Sequence, residues 1–224
     1  MLEAPQHIPD GDWLSQAQAR FDNLNDDAGQ GTCELLNRIV PQPALHARFL
    51  NTLSLLEHMG SYKIMSTQHS TGIEQATLRH VTEECHHAFF MKRHAEKTAE
   101  RPLEYQEADL LSAGAARMYF QRLEASMIRS LSDKRDPRTI YLYMSMIIEF
   151  RAVWFYTLYQ QCLARCQHPL SLKRLLGEEQ NHLTDMAERL DQAGELSDNR
   201  VDHFIDIEHR LYGRLLDALR RATA

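Results

Sequence analysis

The stretch Glu83-Glu84-Cys85-His86-His87 has a second copy later in the chain, Glu178-Glu179-Gln180-Asn181-His182. Both contain Glu-x-x-His. On a helix, residues three apart project side by side at about 5 Å, so a carboxylate and an imidazole at this spacing can share one metal ion. Two such helices bind a pair of ions when two further helices each contribute a carboxylate.

Those carboxylates follow from hairpin geometry, in which residues at one level lie equidistant from the turn. Glu57 precedes Glu84 by 27 residues, and Glu149 precedes Glu179 by 30. The first midpoint falls at Ser70 to Gly72, within the turn-like run Ser66 to Gly72. The second falls at Ala164, just ahead of the break at His168-Pro169, so this hairpin needs a loop that climbs.

Apolar periodicity supplies the helices around these points. The first is predicted over Pro43 to Met65, with Leu50, Leu53, Glu57, Ile64 and Met65 near one face. The second runs from Gly72 to Lys97, with Ile73, Ala76, His80, Glu84, His87, Met91 and His94 in one stripe. That stripe selects Glu84 and His87 over the overlapping pair Glu83 and His86, because the Glu83 face carries Gln75, Arg79 and Arg93. A crossover between Arg101 and Pro137 carries its own helix, Gln106 to Leu131, with Leu110, Leu111, Ala115, Met118, Tyr119, Leu123 and Ile128. Asp136-Pro137 reads as an N-cap followed by proline at the first helical position, opening a helix to Arg165. A further helix spans Ser171 to Ala193. Ser197-Asp198 caps a last one, to Leu219, that packs outside the others. Residues 1–30 read as a polar arm or lid with one short helix, Trp13 to Leu24. The domain reading is an arm over 1–42 and a single helical domain over 43–224.

Composition agrees with an all-α class. Glycine (9) and proline (7) are scarce, while residues that lose little on entering a helix abound. A length of 224 residues with 43% hydrophobic content suffices for one core. The net charge of −6 is modest and spread along the chain, which argues against a nucleic-acid surface. No apolar run reaches membrane-spanning length and the N-terminus lacks the order of a signal peptide, so a cytoplasmic protein is expected. Cys33, Cys85, Cys162 and Cys166 form no CxxC pair and read as reduced thiols.

Charge energetics then favours a metal. An unpaired buried carboxylate costs several kcal/mol, in the range of about 3–5, and four converging in one core demand compensating positive charge. Two divalent ions supply four charges. Tyr156, two turns after Glu149, and Tyr62, five residues after Glu57, are candidates for a redox-active or hydrogen-bonding phenol, or for core packing with a satisfied hydroxyl. His203, Glu208 and His209 are assigned to solvent.

The order Glu, Glu-x-x-His, Glu, Glu-x-x-His, on four helices with a long crossover, resembles the ferritin-like superfamily of carboxylate-bridged diiron proteins. The resemblance covers about residues 43 to 193. It implies a ferritin-like four-helix bundle, an extra crossover helix and a C-terminal helix. It also implies two iron ions, or manganese with iron, held by Glu57, Glu84, His87, Glu149, Glu179 and His182. In that superfamily an acid preceding the motif hydrogen-bonds a ligand histidine; Glu83 and Glu178 match it, whereas the family's arginine position holds His86 and Asn181. His80 gives His-xxx-Glu-xx-His and is either a third histidine ligand or a histidine beside the site. The activity implied is dioxygen activation by a non-haem diiron oxidoreductase acting on a small organic substrate, as a homodimer. Electrons would come from a separate reductase or ferredoxin, as no flavin or iron-sulfur motif is present. The alternative is iron oxidation and storage of the ferritin type, which size exclusion separates because a cage is far larger than a dimer.

Overall fold

In the computed structural model, residues 13–66, 72–131 and 136–223 are described, and they hold helices and no strands. The helices are α1 (Trp13–Leu24), α2 (Asp26–Ile39), α3 (Pro43–Ser66), α4 (Gln75–Ala99), α5 (Ala113–Ser130), α6 (Pro137–Arg165), α7 (Lys173–Gln192) and α8 (Asp198–Ala222). None is long and apolar enough to cross a membrane. Residues 67–71, where the first turn is expected, and residues 1–12 lie outside the described residues.

Helices α3 and α4 pair antiparallel. Ser54 Oγ donates to Ala88 O at 2.7 Å, and Gly60 lies beside Glu84. Helices α6 and α7 pair likewise. Their connection climbs: Gln167 takes a left-handed φ of 52°, His168 N returns to Leu163 O at 2.9 Å, and Leu172 N donates to Gln160 Oε1 at 2.6 Å. The two hairpins close on one another through α3–α6 contacts such as Phe49 against Phe155, and through α4–α7 contacts such as Arg189 to Thr77 at 3.1 Å. The core between them includes the fully buried Leu50, Met91, Phe150 and Tyr159. Each large apolar side chain withdrawn from water contributes about 1.5–3 kcal/mol.

Helix ends follow local chemistry. Asp136 accepts from Arg138 N at 3.1 Å with Pro137 behind it, and Gly194 takes φ +66° to end α7 while Glu195 N donates to Leu190 O at 2.9 Å. Ser197 makes no side-chain cap; Asp198 instead accepts from Trp13 Nε1 at 2.7 Å, tying α8 to α1. The crossover helix starts at Ala113 rather than Gln106. Buried Asp109 holds the chain in a tight turn by accepting from Arg101 at 2.6 Å and from Glu104 N at 2.9 Å. Its buried face is Ala116, Tyr119, Phe120, Leu123 and Met127, leaving the expected core residues Met118 and Ile128 exposed.

Helix α2 is absent from the sequence reading. Gly29 and Gly31 suggest loop, but a Cβ on Gly31 would meet Leu216 Cδ2 at 3.3 Å and Arg220 Nη1 at 3.2 Å. The glycine lets α2 lie close against α8. Leu36 and Ile39 of α2 are fully buried.

Candidate metal centre

Two groups of side chains that can hold a metal ion meet in the interior: His80, Glu84, Glu149 and His182, and Glu57, Glu84, His87 and Glu179. Within each group the potential ligand atoms lie within 4.8 Å of one another, and Glu84 belongs to both. The helix periodicity makes this possible. Glu84 and His87 stand one turn apart on α4, Glu179 and His182 one turn apart on α7, and α3 and α6 bring Glu57 and Glu149 to the same level. Glu84, Glu149 and Glu179 are 6%, 3% and 1% exposed.

Each imidazole turns one nitrogen toward the carboxylates. His87 Nδ1 lies 3.3 Å from Glu179, His182 Nδ1 lies 3.2 Å from Glu179, and His80 Nε2 lies 3.2 Å from Glu149 and 3.4 Å from Glu84. The other nitrogen of each ring is fixed from outside. His87 Nε2 donates to Glu178 at 2.9 Å, His182 Nε2 donates to Glu83 at 2.8 Å, and His80 Nδ1 lies 2.9 Å from the Tyr141 hydroxyl. Each leading acid therefore clamps the histidine of the other helix's motif. Such clamps fix the tautomer and direct the inner nitrogen's lone pair at the centre.

The donor set fits a pair of cations. Glu84 Oε1 and His87 Nδ1 are buried without a hydrogen-bond partner among the described residues and face each other at 3.7 Å. Such orphaned groups cost roughly 1–3 kcal/mol each unless something answers them. The protonation pattern points the same way. Burial, then the neighbouring Glu84 and Glu179, raise the Glu57 carboxyl well above the carboxylate range. Burial works against a proton on the histidines, yet the nearby Glu179 carboxylate carries His87 up to about 10, and Glu149 and Glu179 carry His182 up to about 12. His80 is likewise raised by Glu149 and Glu84 against its burial. The raised affinity of His80, His87, His182 and the Glu57 carboxyl for protons marks a demand for positive charge at the centre, the demand that divalent ions would meet.

The two tyrosine candidates part company. The Tyr156 hydroxyl donates to Glu57, and burial raises it well above a phenol's ordinary range. Tyr62 is 67% exposed, because five residues along a helix turn its side chain far from the Glu57 face. His203 is exposed and His209 half-buried, but Glu208 is fully buried, which corrects its assignment to solvent. It lies in the apolar stripe of α8 with Phe204, Ile205 and Leu211, accepts both Arg151 Nε at 2.8 Å and Nη2 at 2.6 Å, and takes the Tyr119 hydroxyl at 2.7 Å. That position within the stripe is the sequence signal for its burial. Nothing in the sequence spacing singled out Tyr141 or Arg151.

One cavity of about 220 Å³ reaches the centre at His80 and His182, lined by Arg79, Glu83 and Glu178, and two more reach it along apolar walls. The larger of these two, about 110 Å³, runs among α2, α3, α5, α6 and α8 and is walled mainly by apolar side chains such as Leu53, Phe120 and Phe155, with Glu57 and Glu84 at one end. The smaller, about 50 Å³, reaches His80 and Glu149 beside the Lys63–Glu124 ion pair, whose atoms are 2.7 Å apart. Both include Gly60, where a Cβ would stand 3.4 Å from Glu84 Oε2. No protein-family model, curated protein or solved structure matches the chain.

Proposed function

We propose that this chain is a ferritin-like, non-haem diiron oxidoreductase that activates dioxygen to oxidise or oxygenate a small organic substrate. The observation that carries the reading is a pair of buried carboxylate-imidazole groups joined through Glu84. Glu57, Glu84, His87 and Glu179 would hold one ion, and His80, Glu84, Glu149 and His182 the other. Mixed carboxylate and imidazole donors of this kind suit iron or manganese. When bound, such ions supply the electrons and Lewis acidity that reaction with dioxygen requires.

The chain's own residues do the rest. Glu83, Glu178 and Tyr141 hold the three imidazoles in one orientation. The Tyr156 hydroxyl holds a proton against Glu57 in the wall of the larger apolar cavity. The apolar wall around Leu53, Phe120 and Phe155 excludes water and offers contact to a carbon skeleton. That wall supports an organic substrate over iron storage. Electrons reach the site from a separate donor protein.

The test is anaerobic loading with ferrous ion, metal analysis by mass spectrometry, and then exposure to air-saturated buffer. Two ions per chain and dioxygen consumption far faster than that of free ferrous ion are expected. Oxidation at the rate of the free ion would overturn the proposal.

A further inference from the structure

Helices α5 and α8 pack antiparallel: Ser112 Oγ, at the start of α5, donates to Ala218 O at 3.0 Å, and the Tyr119 hydroxyl donates to Glu208 at 2.7 Å. Between them runs a groove of about 240 Å³. Its floor is apolar, with Leu211 and Leu215 from α8 and Met118 from α5. Small residues keep it open, and a Cβ added at Gly114 would meet nothing within 4 Å. Its rim is cationic, formed by Arg122 of α5 and by Arg214 and Arg221 of α8.

Met118 is 40% exposed at this floor, although covering a side chain of its kind contributes about 1.5–3 kcal/mol. The three guanidiniums are exposed and have no ion-pair or hydrogen-bond partner among the described residues. The chain as a whole carries a net charge of −6, yet residues 210–222 set Arg210, Arg214, Arg220 and Arg221 against Asp217 alone. An exposed methionine or an unpaired arginine is ordinary by itself. Their convergence on one recess matches a molecule with both characters. An apolar chain answers the floor, and a carboxylate answers the guanidinium fork. A bilayer is a poorer match, because Leu211, Leu215 and Leu219 of α8 are buried and leave no protruding apolar face to insert.

We propose that this groove binds an amphipathic anion, an apolar chain ending in a carboxylate. The chain covers Met118, Leu211 and Leu215, and the carboxylate lies among Arg122, Arg214 and Arg221. Tyr119 and Leu215 line the larger apolar cavity as well, so the bound chain rests against the outer side of a wall that the interior space shares. Binding in the groove needs no cation at the centre and does not rest on the diiron reading.

The chelator-treated chain is titrated calorimetrically with decanoate, decanol and decyltrimethylammonium, and the Met118 methyl group is followed by NMR on ¹³C-methyl-methionine-labelled protein. Decanoate is expected to bind, decanol to bind about tenfold more weakly and decyltrimethylammonium not at all, with the Met118 methyl signal shifting as decanoate is added. Arg122→Gln, Arg214→Gln and Arg221→Gln combined are expected to weaken decanoate about tenfold while leaving decanol unchanged. Decanol binding as tightly as decanoate, a silent Met118 methyl, a triple variant that keeps its decanoate affinity, or no decanoate binding overturns the proposal. Attachment to vesicles of anionic phospholipid without binding of monomeric decanoate overturns it too, and makes the face a membrane contact. The titrations and the methyl signal use the unaltered chain should the triple variant fail to fold. Absent decanoate binding leaves the diiron reading untouched, and ferrous oxidation at the rate of the free ion leaves this proposal standing.

Discussion

His46 and His182 lie in the same helical core, at 1% and 5% exposure, and their protons behave in opposite ways. Burial, helped by the neighbouring imidazoles of His168 and His94, lowers His46 to about 4. His182 feels burial too, but Glu149 and Glu179 overcome it and carry the ring up to about 12. His46 meets a phenol, its Nε2 standing 2.5 Å from the Tyr159 hydroxyl, and a second imidazole whose centroid is 4.8 Å away. The difference lies in the company, not the depth. A core can tolerate a neutral histidine almost anywhere, whereas a histidine that keeps its proton marks a place where acids outnumber their partners.

The largest effect expected from breaking this contrast comes at the shared ligand. Glu84→Ala removes a donor from both groups at once, and stoichiometric ferrous or cobaltous binding is expected to disappear from both, as read by metal analysis and by visible absorption of the cobalt form. Next comes the acid limb of stability. His46 is held neutral in the fold and takes a proton when unfolded, so its contribution is complete above pH 6.5 and is lost as pH falls toward 4. The loss is on the order of 3 kcal/mol, and His46→Phe is expected to flatten that part of a denaturation-versus-pH curve. The centre has the opposite sign. His87, raised to about 10, gives the metal-free fold stability that is complete below pH 6.5 and lost as pH rises through 10. Melting of chelator-treated protein is expected to fall along that limb, and cation loading to abolish the slope. A smaller effect is expected from the outer clamps, where Glu83→Gln or Glu178→Gln leaves the inner ligands in place and lowers metal affinity by about 10–100-fold in competition titrations. Least of all, Tyr62→Ala at the exposed surface is expected to change stability by within about 0.5 kcal/mol and metal binding not at all.

The contrast also explains what could be read from sequence. Glu-x-x-His spacing and distance from a turn are properties of one helix or one hairpin, so the convergence of Glu57, Glu84, His87, Glu149, Glu179 and His182 was legible before any coordinates. Most helix boundaries were legible for the same reason, because capping at Asp136 and breaking at Pro169 are local events. Features that depend on contact between distant elements were not. Helix α2 survives its glycines because α8 needs the room at Gly31, and α5 starts late because Asp109 is held by Arg101 and Glu104. Glu208 reads by pattern as solvent-facing together with His203 and His209, yet it lies in the α8 stripe, and its partner there, Arg151, is one that no local pattern reveals. Spacing alone leaves His80 open to two roles; its inner nitrogen lies among the carboxylates at 3.2 and 3.4 Å.

Gly60 leaves a missing methyl group where the two apolar cavities pass Glu84. Its neighbours there are Glu84 Oε2 and the Phe120 ring, at 3.4 and 4.0 Å from where a Cβ would be. A side chain at this position would take up space that the two cavities share beside Glu84, from a residue that offers no ligand itself. Bulk added at this one codon would therefore press on the shared carboxylate of Glu84 and on the neighbouring space together, so the size of residue 60 couples the shape of the cavities to the placing of a donor.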